Sequence, residues 1–168
     1  WVGSHFVGSP RLDAQWLTRY RRDQSFPAIH SVDHGLSMPG LQPDPGDPVV
    51  PANGQPWGTW GGWFEWDPAT IVDLVDRWSV SLQLVTGAPF AGDNAPAPTA
   101  RAAVTIRRAQ QFHPYPGAMI TWSLVGVSNG FLYAGGTTRA GTDGLVTLRR
   151  LPFGTAAVRL EVVGAYPK

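Results

Sequence analysis

Between Arg77 and Val163, apolar side chains recur at every second position in short segments, and each segment is closed by a cluster of turn-forming residues. A period of two belongs to a strand with one buried face, because successive side chains point to opposite sides of the pleat. RWSVSLQLV sets Trp78, Val80, Leu82 and Leu84 on one face and Ser79, Ser81 and Gln83 on the other. TARAAVTIRR repeats the pattern through Ala102, Val104 and Ile106, and AMITWSLV through Ile120, Trp122 and Leu124. FLYAGGTT and GLVTLRR follow, and AAVRLEVV closes the series with Val158, Leu160 and Val162 inward and Arg159 and Glu161 outward. The separators HPYPG, VSNG, AGTDG and PFG carry the residues that tight turns demand. Six or seven such strands predict an all-β fold, an antiparallel β-sandwich with a core from about Phe64 to Val163.

Composition agrees with that fold class and narrows the function. The 20 Gly and 16 Pro among 168 residues favour turns and ordered loops over helices, and 43% hydrophobic residues are enough for one buried core. Thirteen Lys and Arg against twelve Asp and Glu leave a net charge of +1, so there is no broad field for nucleic acid. With no cysteine, disulfides, thiolate metal sites and a cysteine nucleophile are excluded. No apolar run is long enough for a helical membrane span. The chain opens at Trp1 with neither an initiator Met nor a signal sequence, which reads as a processed or cut part of a longer product.

Ahead of the strands, Ser9 as N-cap, Pro10 at the first helical position and Leu12, Trp16, Leu17 and Tyr20 along one face predict a helix from about Pro10 to Arg22. From Ser25 to Pro56 the chain reads as loop, and the proline-rich LQPDPGDPVVPANGQP within it suits a segment that wraps a sheet. The organisation expected is a helix with a wrapping segment over residues 1–56 and a sandwich domain over residues 57–168.

Three constellations and one lone histidine could carry chemistry. Gly126-Val127-Ser128-Asn129-Gly130 fits the G-x-S-x-G pattern of a nucleophile elbow, but a strand pattern follows it where a helix is needed, and no histidine lies after Ser128. A hairpin turn is the better reading. His30 and His34 flank Asp33 in IHSVDH, yet Ser31, Val32 and Gly35 oppose the helix that would bring two imidazoles to one metal, so a surface or hydrogen-bonded role is expected. Asp33, Asp44 and Asp47 are weak candidates for a hard cation, because such a site needs six or more oxygens. His5, in a loop between an apolar stretch and a helix, occupies the kind of place a catalytic histidine takes before the last helix of an α/β-hydrolase. No cofactor is implied.

The row Trp57, Trp60, Trp63 and Trp66 has a strict spacing of three. Polyproline II geometry would align all four rings, whereas a strand would turn Trp57 and Trp63 away from Trp60 and Trp66. Phe64 and Trp66 run into the first strand of the sandwich and are expected in its core. Trp57 and Trp60, in the Gly- and Pro-rich approach, are the candidates to meet a ligand or partner.

YRRDQSFPAI and TIRRAQQFHPYPGAMITW, with the Pro- and Asp-rich loop, WFEWDPATIVDLVDRWSVSLQLV and TDGLVTLRRLP between and after them, resemble the C-terminal region of secreted bacterial α/β-hydrolase-like proteins of the esterase and prolyl-oligopeptidase kind. The closing TDGLVTLRRLPFGTAAVRLEV also resembles transthyretin-like and carboxypeptidase regulatory sandwiches, with Asp143-Gly144 as the turn of a final hairpin. The first resemblance implies an extracellular or periplasmic accessory module that packs on a catalytic domain outside this chain. Within it only His5 could match a catalytic residue, the serine and acid having no counterpart here. The alternative is a module that binds polysaccharide or another polymer, or a structural partner, through its tryptophans.

Overall fold

The computed structural model describes residues 22–33, 64–84 and 98–164, and these form eight strands in two antiparallel sheets. In chain order they are β1 (Phe26–Asp33), β2 (Phe64–Asp73), β3 (Arg77–Leu84), β4 (Thr99–Arg107), β5 (Met119–Gly126), β6 (Leu132–Arg139), β7 (Thr147–Gly154) and β8 (Val158–Gly164). The smaller sheet has the order β1-β4-β7 and the larger β2-β3-β8-β5-β6. Their apolar faces meet in one core, to which nearly every strand contributes at alternate positions.

The period of two holds on β3, β4 and β8; on β5 Ile120 and Leu124 are buried but Trp122 only partly, and β6 buries none of its residues. Trp78, Val80, Leu82 and Leu84 of β3 are buried, as are Ala102, Val104 and Ile106 of β4 and Val158, Leu160 and Val162 of β8. Phe64 and Trp66 lie in the core, and the Phe64 ring meets Phe153 of the opposite sheet edge-on at 4.9 Å between centroids. Such a T-shaped pair adds to the apolar area it buries.

Three expectations need correction. The loop read from Ser25 to Pro56 contains strand β1, paired antiparallel with β4. Its alternation is broken by a bulge between His30 and Asp33, where Ser31 has φ of 52°, so Ile29 and Val32 both reach the core although they are three residues apart. Pro27 fits because β1 is at the edge of its sheet, where a missing N–H costs no ladder bond. The strands among the described residues number eight, not six or seven. Finally, Asp143-Gly144 is a tight turn but closes no hairpin: β6 and β7 belong to different sheets, as do β7 and β8. Gly144, at φ of 76°, donates to the Gly141 carbonyl at 3.0 Å, and the Asp143 carboxylate accepts from the Leu145 amide at 3.0 Å. That compact unit carries the chain from one sheet to the other. The expected helix from Pro10 and the proline-rich segment lie outside the described residues.

Polar groups tie the layers together. The buried Trp78 indole donates to the Ser25 hydroxyl at 2.8 Å, joining the large sheet to the residue that leads into β1. At the end of β2, the Asp73 carboxylate accepts from the amides of Gln110, Gln111 and Phe112 at 2.6, 3.2 and 2.9 Å, which fixes the path from β4 toward β5. In the irregular middle of β2, the Thr70 hydroxyl accepts from the Ser81 amide at 2.8 Å and replaces a ladder bond that the register shift between Asp67 and Val72 removes. Ser25→Ala leaves the Trp78 N–H buried and unsatisfied, so denaturant unfolding will show a loss of about 1–3 kcal/mol, whereas exposed Ser128→Ala will lie within about 0.5 kcal/mol of the parent.

Candidate functional site

Two surfaces stand out, and both form where strand pairing slips. On the outer face of the small sheet, the central strand β4 presents Ala103, Thr105 and Arg107, and each flanking strand is bulged beside Ala103. One bulge follows His30 on β1; the other takes in Arg149 and Arg150 on β7, with Arg150 at φ of 55°. Arg101 reaches back to donate to the Arg150 carbonyl at 3.5 Å. Extra residues at bulges re-aim side chains. Small residues therefore form the floor and long cationic ones the walls of a groove of about 410 Å³, which continues past Thr147 to Thr138 and Arg139 of β6 and to the turn at Asp143.

A line of hydrogen bonds crosses this floor. His30 Nε2 lies 3.0 Å from the Thr105 hydroxyl, which lies 2.8 Å from the Thr147 hydroxyl, and His30 Nδ1 lies 3.1 Å from the Ser31 hydroxyl. Burial holds the His30 pKa below its ordinary 6.5, and the charges of Arg149 and Arg107 lower it further. The imidazole is thus held neutral near pH 7. With the proton on Nε2 it donates to Thr105, Thr105 donates to Thr147, and the Thr147 proton is left to face the groove. Among the described residues, three arginines and one carboxylate, Asp143, line the space. Arg139 donates to the Gly117 carbonyl at 3.0 Å, and Asp143 is engaged by Leu145.

The second surface is the tip of the β5–β6 hairpin. GVSNG is a hairpin turn: residues 127–129 form the turn, Gly130 has φ of 65°, and Gly126 and Phe131 close it with a 2.8 Å hydrogen bond. Ser128 is exposed on that turn. Leu124 pairs with Ala134 but Val125 with Leu132, so Tyr133 is an inserted residue. The result is a group of exposed apolar side chains, Val127, Phe131, Leu132 and Tyr133, at 54%, 60%, 59% and 47% exposure. The Phe131 and Tyr133 rings pack edge-on at 5.2 Å, and the Asn129 side chain accepts from the Phe131 amide at 3.0 Å. A Cβ at Gly126 would meet the Asn129 side-chain oxygen and the Tyr133 ring, so a larger residue there would displace both side chains. Tyr133 also borders an open concavity of about 540 Å³ with Asp33, Arg101 and Phe153.

Of the expected site residues, His5, Trp57, Trp60, Asp44 and Asp47 lie outside the described residues, and so does His34. Asp33 is half-buried at the end of β1, and no group of three or more His, Asp or Glu able to hold a metal occurs among the described residues. His30 has the hydrogen-bonded role expected of it. Its partnership with Thr105, 75 positions away, left no signal in local spacing, and neither did the bulges that aim Arg149 and Tyr133.

The lowered His30 pKa has a definite sign in stability. Between 6.5 and the lower folded pKa, the unfolded chain takes up a proton that the folded chain does not, so stability falls as pH drops through that window and is level above it. Unfolding curves at pH 7.5 and 5.5 will differ more in the parent than in His30→Gln; an unchanged difference would remove His30 as the cause. No protein-family model, curated protein or solved structure matches the chain.

Proposed function

We propose that this chain is the accessory β-sandwich of a secreted bacterial hydrolase, acting outside the cell or in the periplasm, and that it docks on a catalytic α/β-hydrolase domain through the tip of the β5–β6 hairpin. The observation that carries the docking surface is the exposed group of Val127, Phe131, Leu132 and Tyr133. Apolar side chains gathered at one exposed place, rich in aromatic rings and without a charge, have the composition of an interface core rather than of ordinary surface. The Tyr133 bulge and the bonded turn hold them in a fixed shape, which lowers the ordering cost of association. The two-sheet, all-β architecture is of the kind an accessory sandwich needs, although fold alone assigns no activity. In such an assembly His5 is the one position with which this chain would enter the active site.

The alternative, a polymer-binding module, draws on the same aromatic rings, since Phe131 and Tyr133 could stack on sugars as Trp57 and Trp60 could. The two readings part on partner dependence. Alone, the chain will turn over no ester or peptide substrate. It will bind the α/β-hydrolase domain of its own reading frame, and Phe131→Ser with Leu132→Ser will weaken that complex about tenfold or more, as removal of central apolar anchors does, while thermal melting stays unchanged. Activity of the chain alone, a reading frame without such a domain, or saturable binding of neutral glycans lost in the same variant would each reject the docking reading.

A further inference from the structure

We infer that the groove on the outer face of the small sheet binds a tetrahedral oxyanion, a phosphate or sulfate group, gripped by Arg107 and Arg149 and received at its floor by the Thr147 hydroxyl. The inference stands on a different surface from the docking tip and does not depend on the hydrolase reading.

The first support is charge placement. In a chain of net charge +1, three arginines among the described residues gather around one groove with a single described carboxylate, which is already bonded to the Leu145 amide. Arg107 and Arg149 form no ion pair among the described residues; the one ion pair found there, Arg77 with Glu161 at 3.9 Å, is on the large sheet. Like charges gathered around one groove repel one another, and an anion between them relieves that repulsion. The bulge that brings Arg149 alongside Ala103 is a deliberate break in an otherwise regular ladder, and such breaks occur next to working sites.

The second support is directional. Arg107 and Arg149 come from different strands, and with the His30 proton on Nε2 the hydroxyl line through Thr105 ends at Thr147 with a proton to give. Donors that converge from two walls and the floor match an anion with three or four oxygens better than a planar carboxylate, and guanidinium groups grip such oxygens in pairs. Thr105 is buried at 5% exposure, so the line is fixed by packing and its end is preorganised. The groove is open enough for the oxyanion to be free or carried on a larger molecule.

The test is a titration of the full chain, followed by amide chemical shifts at pH 7 and constant ionic strength, with inorganic phosphate, inorganic sulfate, dextran sulfate and neutral dextran as probes. Saturable shifts centred on His30, Thr105 and Thr147 are expected with at least one charged probe and none with neutral dextran. Arg107→Gln with Arg149→Gln should weaken binding about tenfold or more, given the strength of charge-assisted hydrogen bonds, and Thr147→Val several-fold. Arg77→Gln with Arg159→Gln, on the large sheet, should change it less than twofold. A response to the inorganic ions marks a free-ion site, and a response to dextran sulfate alone marks a group borne on a polymer. Lack of saturation with every charged probe, or equal loss in the two arginine pairs, overturns the assignment; thermal melts of each variant confirm that folded chains are being compared.

Discussion

The indole of Trp78 is where the two sheets become one structure. It is fully buried on β3, paired across the ladder with Asp73 on one side and Val162 on the other, and its N–H is spent on the Ser25 hydroxyl that precedes β1. Apolar burial drives the sheets together without choosing their relative setting, whereas a buried donor tolerates only the arrangement that supplies its acceptor. Asp73, next to Trp78 in the ladder, adds a second point of control by collecting three amides of the segment after β4. The position of the small sheet, and so of everything on its outer face, follows from these bonds.

Regular pairing makes the core and irregular pairing makes the surfaces that could work. Where β3 runs beside β8 the register is unbroken and every second residue is buried. Where β1, β7 and β6 slip against their partners, residues are left over: Ser31 and Val32 just after His30, Arg149 with Arg150, and Tyr133. Ser31 and Arg150 adopt positive φ to allow this, a conformation that costs a residue with a Cβ about 1 kcal/mol or more. Both residues hold that conformation on strands flanking β4, so the groove is built at the expense of the ladder and not from an unused stretch of loop.

The same division explains what could be read in advance. Trp78, Leu82, Leu124 and Leu160 announced themselves through a period of two, because the ladder and the hydrophobic pattern have the same repeat. β1 was hidden by its bulge, since Ile29 and Val32 face one core at a spacing of three that reads as no strand at all. The crossing of β6 to β7 was hidden for a different reason: an Asp-Gly turn reverses the chain equally well within a sheet and between sheets, and only the packing of the strands after it decides. Ser128 could be set aside from its neighbours alone. The His30, Thr105 and Thr147 line could not be found that way, because it is made by register between three strands.

Net charge concealed the groove as well. A balance of +1 over the whole chain argues correctly against a broad electrostatic field, but a sum says nothing of distribution, and Arg107, Arg139 and Arg149 come together only after the chain has crossed between sheets twice. Strand β6 links that groove with the apolar tip, for Leu132 and Tyr133 stand at its first residues and Thr138 and Arg139 at its last. Arg139 lies six positions along the strand from Tyr133, a span of about 20 Å. A ligand in the groove and a domain on the tip therefore engage different residues. Coupling between the two would have to pass along β6, whose partner β5 is locked on its other side to β8. A strand backed in this way carries little movement, so the two surfaces are expected to fill independently.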